Sequence, residues 1–295
     1  MPSSAAELVE LLDIETLDTN LFRGGSPDTD RQRVFGGQVA AQALIAGIRT
    51  VDAGLGVHSL HAYFLRPGDT AIPIIYDAER IRDGRSFETR RVVARQHGHP
   101  IFYLTANFQR PEDGFEHQDA MPEVPGPDEG MTFAQLYELR SGDKRSASEW
   151  AKEWAALDTR YLGNSSYPGG THLAEDADRR ARAQLWVRVN GELGDDPVVH
   201  TAAFTYASDL TLLGAALVPH DIEIGSPELM PASLDHTIWF HRPFRADHWW
   251  LYDQWSPSAS GSRGLSLARV FTEDGTLVAT VAQEGLIRQR RTSTT

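Results

Sequence analysis

Phe64-Leu65-Arg66-Pro67 and Phe240-His241-Arg242-Pro243 are one signal written twice, and their spacing decides the fold. Arg66 and Arg242 stand 176 positions apart, as do Tyr76 and Tyr252, and Ser59-Leu60-His61 is matched by Ser233-Leu234-Asp235-His236. An offset shared by separate markers indicates an internal duplication. Outward from each marker the order of elements agrees. Residues 34–48 are led by Gly36-Gly37 and then dense in small apolar residues, a helix apolar around most of its circumference, which must be buried on nearly all sides. Strands follow over 59–64, 72–81, 86–95 and 101–109, broken by turn signals at Arg66-Pro67-Gly68, Asp83-Gly84 and Gly98. In the second half a strand over 181–189 precedes a second small-residue helix over 198–217, with strands expected over 233–240, 249–255, 264–271 and 277–288. A buried helix and an antiparallel meander fit together when a strongly curved sheet wraps around the helix. The expected class is α+β, with two such repeats in one chain whose edge strands pair side by side.

Between the repeats the character changes. Residues 111–131 mix acidic residues with Pro111, Pro122, Pro125 and Pro127 and read as an exposed linker, while 133–157, with Trp150 and Trp154 four apart, read as a helical connector. The expected division is 1–110 for the first repeat, 111–175 for linker and connector, and 176–295 for the second repeat. Ser4-Ala5-Ala6-Glu7 fits a capping box opening a short amphipathic helix.

Composition narrows the function classes. The 295 residues are 41% apolar and 23% charged, values of a folded globular chain, and the net charge of −13 is a poor match to a phosphate backbone, so nucleic acid is set aside. There is no cysteine, so catalytic chemistry must use oxygen or nitrogen groups. No apolar run is expected to span a membrane. An N-terminal segment with Glu7, Glu10 and Asp13 and a C-terminus reading Thr292-Ser293-Thr294-Thr295 carry no recognised address, so the expectation is a cytoplasmic protein. Phosphate-loop, dinucleotide and nucleophile-elbow patterns are missing. His97 with His99, and His58 with His61, have no carboxylate at a metal-site spacing, and neither metal nor cofactor is expected.

One acidic residue stands out. Asp209 is the only acid between His200 and His220, in the apolar run Tyr206-Ala207-Ser208-Asp209-Leu210. Burying a carboxylate costs several kcal/mol unless it is hydrogen-bonded or paired. It is either an N-cap for a helix starting at Leu210 or a functional group, and the residues alone leave both open. Gln283, in a small-residue strand, and Ser233, at a strand start, are each ordinarily satisfied sheet polar residues. His58 is a second candidate base. Arg80, Arg82, Arg85, Arg90 and Arg91 form the densest cationic cluster, either a phosphate contact or a solvated sheet face.

The strings Val34-Phe35-Gly36-Gly37-Gln38-Val39, Val57-His58-Ser59-Leu60-His61-Ala62-Tyr63-Phe64-Leu65-Arg66-Pro67-Gly68, Ser208-Asp209-Leu210, Leu234-Asp235-His236, Trp239-Phe240-His241-Arg242-Pro243 and Gln283-Glu284-Gly285 resemble the acyl-CoA thioesterase II family. The resemblance runs from about Leu21 to about Arg288 and is weakest in the linker. It implies a double hotdog fold, in agreement with the repeat. It also implies hydrolysis of fatty acyl-CoA to free acid and CoA by an activated water, with neither metal nor covalent intermediate. The family's catalytic Asp, Ser/Thr and Gln positions match Asp209, Ser233 and Gln283. The expected partner is the acyl-CoA substrate, and further sheet pairing would make the chain a homo-oligomer. Two rivals remain: a hotdog hydratase or dehydratase, which would place a histidine such as His58 beside Asp209, and a non-catalytic acyl-CoA-binding module.

Overall fold

The computed structural model describes residues 1–27, 29, 31–165 and 181–290. The expected boundary at 175–176 and the tetrad Thr292 to Thr295 lie outside them.

The first repeat comprises α1 (Ala5–Leu12), β1 (Glu15–Asp18), β2 (Leu21–Gly24), α2 (Gly36–Ile48), β3 (Gly56–Phe64), β4 (Ile74–Asp83), β5 (Phe87–Gln96) and β6 (His99–Gln109). After α3 (Phe133–Ser141) and α4 (Lys144–Glu153) come β7 (Leu157–Asn164), β8 (Ala181–Val189), α5 (Pro197–Ser208) and a 3₁₀ segment Leu212–His220. They are followed by β9 (Leu229–Ser233), β10 (Asp235–Phe240), β11 (Trp250–Ser260), β12 (Arg263–Thr272) and β13 (Leu277–Gln289). All described strands join one antiparallel sheet in the order β1-β2-β4-β5-β6-β3-β10-β13-β12-β11-β8-β7, with β9 beside β13. The double hotdog arrangement is therefore observed, two curved half-sheets fused edge to edge.

The fusion seam is β3–β10, and its register carries the duplication. His61 pairs with Thr237, its own counterpart 176 residues on, while Leu60 pairs with Ile238 and Ala62 with His236. A local two-fold axis thus passes through the His61–Thr237 pair, and two exposed sheet edges are removed in one pairing.

Small residues let α2 lie inside the sheet. Gly37 through Gly47 are all buried, with Ala40, Ala41, Ala43, Leu44 and Ala46 at zero exposure. The polar exceptions are bonded: Gln42 Nε2 donates to the carbonyls of Leu11 and Gly25, and its Oε1 accepts from the Tyr76 hydroxyl at 2.7 Å. α5 is capped by Asp196, whose carboxylate accepts from the Val198 N–H, with Pro197 in the first turn, and is equally buried along its second half.

Three expectations need correction. The helix expected over 198–217 stops at Ser208 and resumes only as the 3₁₀ segment. Gly214 and Pro219 lie in this stretch, and Pro219 removes an amide an α-helix would need. Pro197–His220 taken together is long and apolar enough to cross a membrane, contrary to the expectation, but here it is core, with most of its apolar window buried within the protein. Linker residues 111–131 are exposed only in their first part. Gln118 bonds the Gly275 carbonyl and the Leu277 N–H, Pro125 accepts from the Trp186 indole at 2.9 Å, and Met121 and Val124 pack on Leu162, Trp186, Leu251 and Phe271. The stretch is a strap over the outer face of the second half-sheet. β7, from within the expected connector, pairs along β8 as its edge strand.

Candidate active site

The first turn of α2 leaves backbone donors without a cap from their own segment. Phe35 is the N-cap residue and supplies no side-chain bond, and the first helical bond runs from the Val39 N–H to the Phe35 carbonyl. The amides of Gly36, Gly37 and Gln38 therefore gather the positive end of the helix dipole without a cap from their own segment.

The group that comes to this end is Asp209, from the other repeat. It caps the C-terminus of α5, so the N-cap reading is wrong: the helix ends at Asp209 instead of starting after it. Its Oδ1 accepts from the Ser233 hydroxyl at 3.2 Å and from Gln283 Nε2 at 2.5 Å, and Gln283 Nε2 also donates to Ser233 Oγ at 2.9 Å. Close approach to α2 requires glycine: a Cβ on Gly36 would stand 2.6 Å from Asp209 Oδ2. The three expected site residues are thus brought together from a helix end, β9 and β13. Ser233 pairs with Gly285, and Gln283, two residues earlier on β13, is fully buried.

Burial pushes the Asp209 carboxyl up to about 6, against the lowering effect of the Gln283 and Ser233 hydrogen bonds and of the Gly37 backbone N–H. A carboxylate in that range is ionised at neutral pH and holds a proton more firmly than an exposed one, as a general base requires.

Asp209 and Ser233 line a cavity of about 650 Å³. Its walls are largely apolar and come from both halves: Val34 and Phe35 ahead of α2 from the first, and Phe133 and Leu136 of α3, Trp150 of α4, Trp154, Leu185 of β8, Leu210, and Leu213 and Val218 of the 3₁₀ segment from the rest of the chain. The α3–α4 hairpin, read as a helical connector, is thus a cavity wall; the Trp150/Trp154 spacing was its sequence signal. Ion pairs fasten the hairpin to the rest of the molecule, Arg31 with Glu153 and Arg140 with Glu223, and the Arg31 guanidinium lies 5.2 Å over the Trp154 ring.

The other candidates sit elsewhere. His58 Nε2 meets Asn107 Oδ1 at 3.1 Å within the first half-sheet, and no histidine lines the cavity among the described residues. The arginine cluster lies on β4, β5 and their hairpin and does not reach the cavity. Arg90 within it is fully buried against Glu88, Asp83 and Thr50, a structural ion pair whose truncation would cost roughly 3–5 kcal/mol. The arginines that do line the cavity are Arg31, Arg33 and Arg140. His97 and Gly98 form the β5–β6 turn with positive φ, and no metal-binding group of acids and histidines occurs among the described residues.

Residues 26–109 match the family model described as the acyl-CoA thioesterase N-terminal domain, and residues 170–286 match that of acyl-CoA thioesterase. Acyl-CoA thioesterase 2 of Haemophilus influenzae is 41% identical over 287 residues, 95% of this chain and 96% of the relative. The chain belongs to the acyl-CoA thioesterase II family. Human acyl-coenzyme A thioesterase 8 is 40% identical over 94% of this chain and 88% of its own length. Among solved structures, the acyl-CoA thioesterase II TesB2 of Mycobacterium marinum superposes with a TM-score of 0.81 at 44% identity, covering 96% of this chain and 98% of that one. As a member of the acyl-CoA thioesterase II family the chain is a thioester hydrolase, built on the double hotdog fold.

Proposed function

We propose that the protein hydrolyses fatty acyl-CoA thioesters to free acid and CoA, with Asp209 as general base and Ser233 and Gln283 as the groups that hold the attacking water. The observation that carries this reading is the meeting, at one cavity, of a half-buried carboxylate held by Ser233 and Gln283 with a helix N-terminus that has no cap from its own segment and gives its Gly37 N–H to that carboxylate. The acyl chain occupies the cavity, and the thioester carbonyl lies near the α2 amides. Water attacks the carbonyl carbon as Asp209 takes its proton. The oxyanion that forms is met by N–H groups of the first α2 turn, where the helix dipole favours negative charge. When the C–S bond breaks, the Asp209 proton passes to the departing CoA sulfur, which restores the carboxylate. A thioester is already an activated acyl group, so no covalent nucleophile is needed.

Release of free thiol from a series of acyl-CoAs of increasing chain length tests the reading directly: turnover supports it, and tight binding without release would favour a binding module. Because the ionised carboxylate is the active form, kcat is expected to fall about tenfold per pH unit below about pH 6 and to level off above it. Gln283→Ala removes a hydrogen bond that holds the carboxyl down. Its pH–rate profile should show the acid limb displaced to higher pH, with kcat at pH 7 reduced by about two orders of magnitude.

A further inference from the structure

We infer that His236 is a positioning residue for hydrolysis, because its bond to Ser208 ties the helix end that carries Asp209 to the strands that carry Ser233. The inference rests on the proposed role of Asp209.

The last turn of α5 shows how the tie works. The Asp209 N–H bonds the Ala207 carbonyl, and the Thr205 carbonyl instead accepts the Ser208 hydroxyl proton at 2.9 Å. With its one proton committed, Ser208 Oγ is an acceptor for His236 Nε2 at 2.8 Å. That assignment puts the imidazole proton on Nε2 and leaves Nδ1 as a bare acceptor, and Nδ1 has no partner in its buried position. The Ser208 carbonyl accepts from the Tyr252 hydroxyl at 2.9 Å. The residue next to Asp209 is therefore held by β10 through its side chain and by β11 through its backbone. His236 itself lies three residues after Ser233, so one hydrogen bond runs between the two elements whose separation sets the Ser233–Asp209 contact.

Packing alone does not account for a histidine here. A fully buried imidazole with one unpartnered nitrogen is a less favourable filler than an aliphatic side chain. The duplication provides the comparison within the same chain. Across the local two-fold axis the counterpart of His236 is Leu60, also at zero exposure, and the helix α2 of that repeat is followed by Arg49 instead of a carboxylate. Histidine stands in the repeat whose helix ends in Asp209, and leucine in the other. Burial pushes the His236 imidazole down to about 4, so the tie does not change with protonation near neutrality.

The test uses the full chain, with His236→Leu to keep volume and lose the donor, His236→Gln to supply an amide donor, and Ser208→Ala to cut the tie from its other end. For His236→Leu and Ser208→Ala we expect kcat to fall about tenfold with KM within twofold, since a carboxylate displaced by a fraction of an ångström loses rate more than binding. The double variant should lose no more than either alone, and His236→Gln should recover most of the rate. A readout independent of turnover is the ¹³C-carboxyl titration of Asp209, assigned against Asp209→Asn. It should move to higher pH in His236→Leu and Ser208→Ala as the Ser233 and Gln283 bonds loosen. Unchanged kcat and titration in folded Ser208→Ala would overturn the inference, as would a loss that appears only in KM or only in thermal stability. If the wild type releases no CoA while the Asp209 titration still responds, the tie stands and the hydrolytic reading falls.

Discussion

Asp209→Asn is expected to lower kcat by roughly 10²–10⁴-fold and, at the same time, to raise the stability of the protein at neutral pH. The two effects share one cause. The carboxyl has a folded-state pKa of about 6 against an ordinary 3.8, so the folded chain binds more protons than the unfolded one between those values. Stability from this group is complete below about pH 4, declines as pH rises toward 6, and is at its lowest above that. At pH 7 the ionised, half-buried carboxylate costs up to about 3 kcal/mol, reduced by cavity water that screens it. Asparagine keeps the shape, keeps an oxygen for Ser233 and Gln283, and carries no charge to bury. Thiol-release kinetics together with denaturant melts at pH 5 and pH 7.5 check both halves. A variant that loses activity and also loses stability at pH 7.5 would mean that Asp209 acts as a structural cap and not as a base.

How much of this could be read from the sequence follows from the physics of each element. The duplication was legible because matching strands constrain both copies alike: Arg66 and Arg242, Tyr76 and Tyr252 hold equivalent places, while the match of Ser59-Leu60-His61 to Ser233-Leu234-Asp235-His236 was out of register, since the counterpart of His61 is Thr237. α2 was legible because only a nearly uniform run of small apolar residues fits inside a sheet. The break after Ser208 was not, because apolar composition is the same in an α-helix and a 3₁₀ segment, and the deciding residues are Gly214 and Pro219. Asp209 was visible as an anomaly, a lone acid in an apolar run, but its direction of capping depends on where α5 stops. His236 stood in the reading only as part of the string Leu234-Asp235-His236, and α3–α4 only as a helical connector. A histidine in a strand gives no sign of facing a helix end, and two tryptophans four apart mark an apolar face without saying what it covers. The arginines misled for the reverse reason: density along the chain does not report burial, and Arg90, one of the five, is sealed in the sheet.

Gly37→Ala is expected to reduce kcat by about two orders of magnitude while leaving a folded protein. The added methyl has nowhere to go: it would run into the Tyr206 backbone carbonyl and stand 2.6 Å from the Phe35 ring. A carbonyl in the buried half of α5 cannot rotate away as a side chain would, so the α2 terminus must back off from α5. Overpacking of this kind costs about 1–3 kcal/mol of stability, which a core of this size tolerates. The site does not tolerate it, because the α2 amides and Asp209 belong to different repeats and meet only through the contact that the methyl wedges apart. A displacement near 1 Å is worth about 10²-fold in rate when it separates a base and an oxyanion donor from a shared carbonyl. Loss of the Gly37 N–H from the carboxylate also removes one of the interactions that hold its pKa down, so the acid limb of the pH–rate profile should move up in the same variant. Gly47→Ala is the control at the other end of the helix, since a Cβ there meets its neighbours at 3.6 Å or more, an ordinary contact. It should keep wild-type kcat and pH profile, and equal losses in both variants would show that α2 requires small residues for packing alone and that its N-terminus has no part in the chemistry.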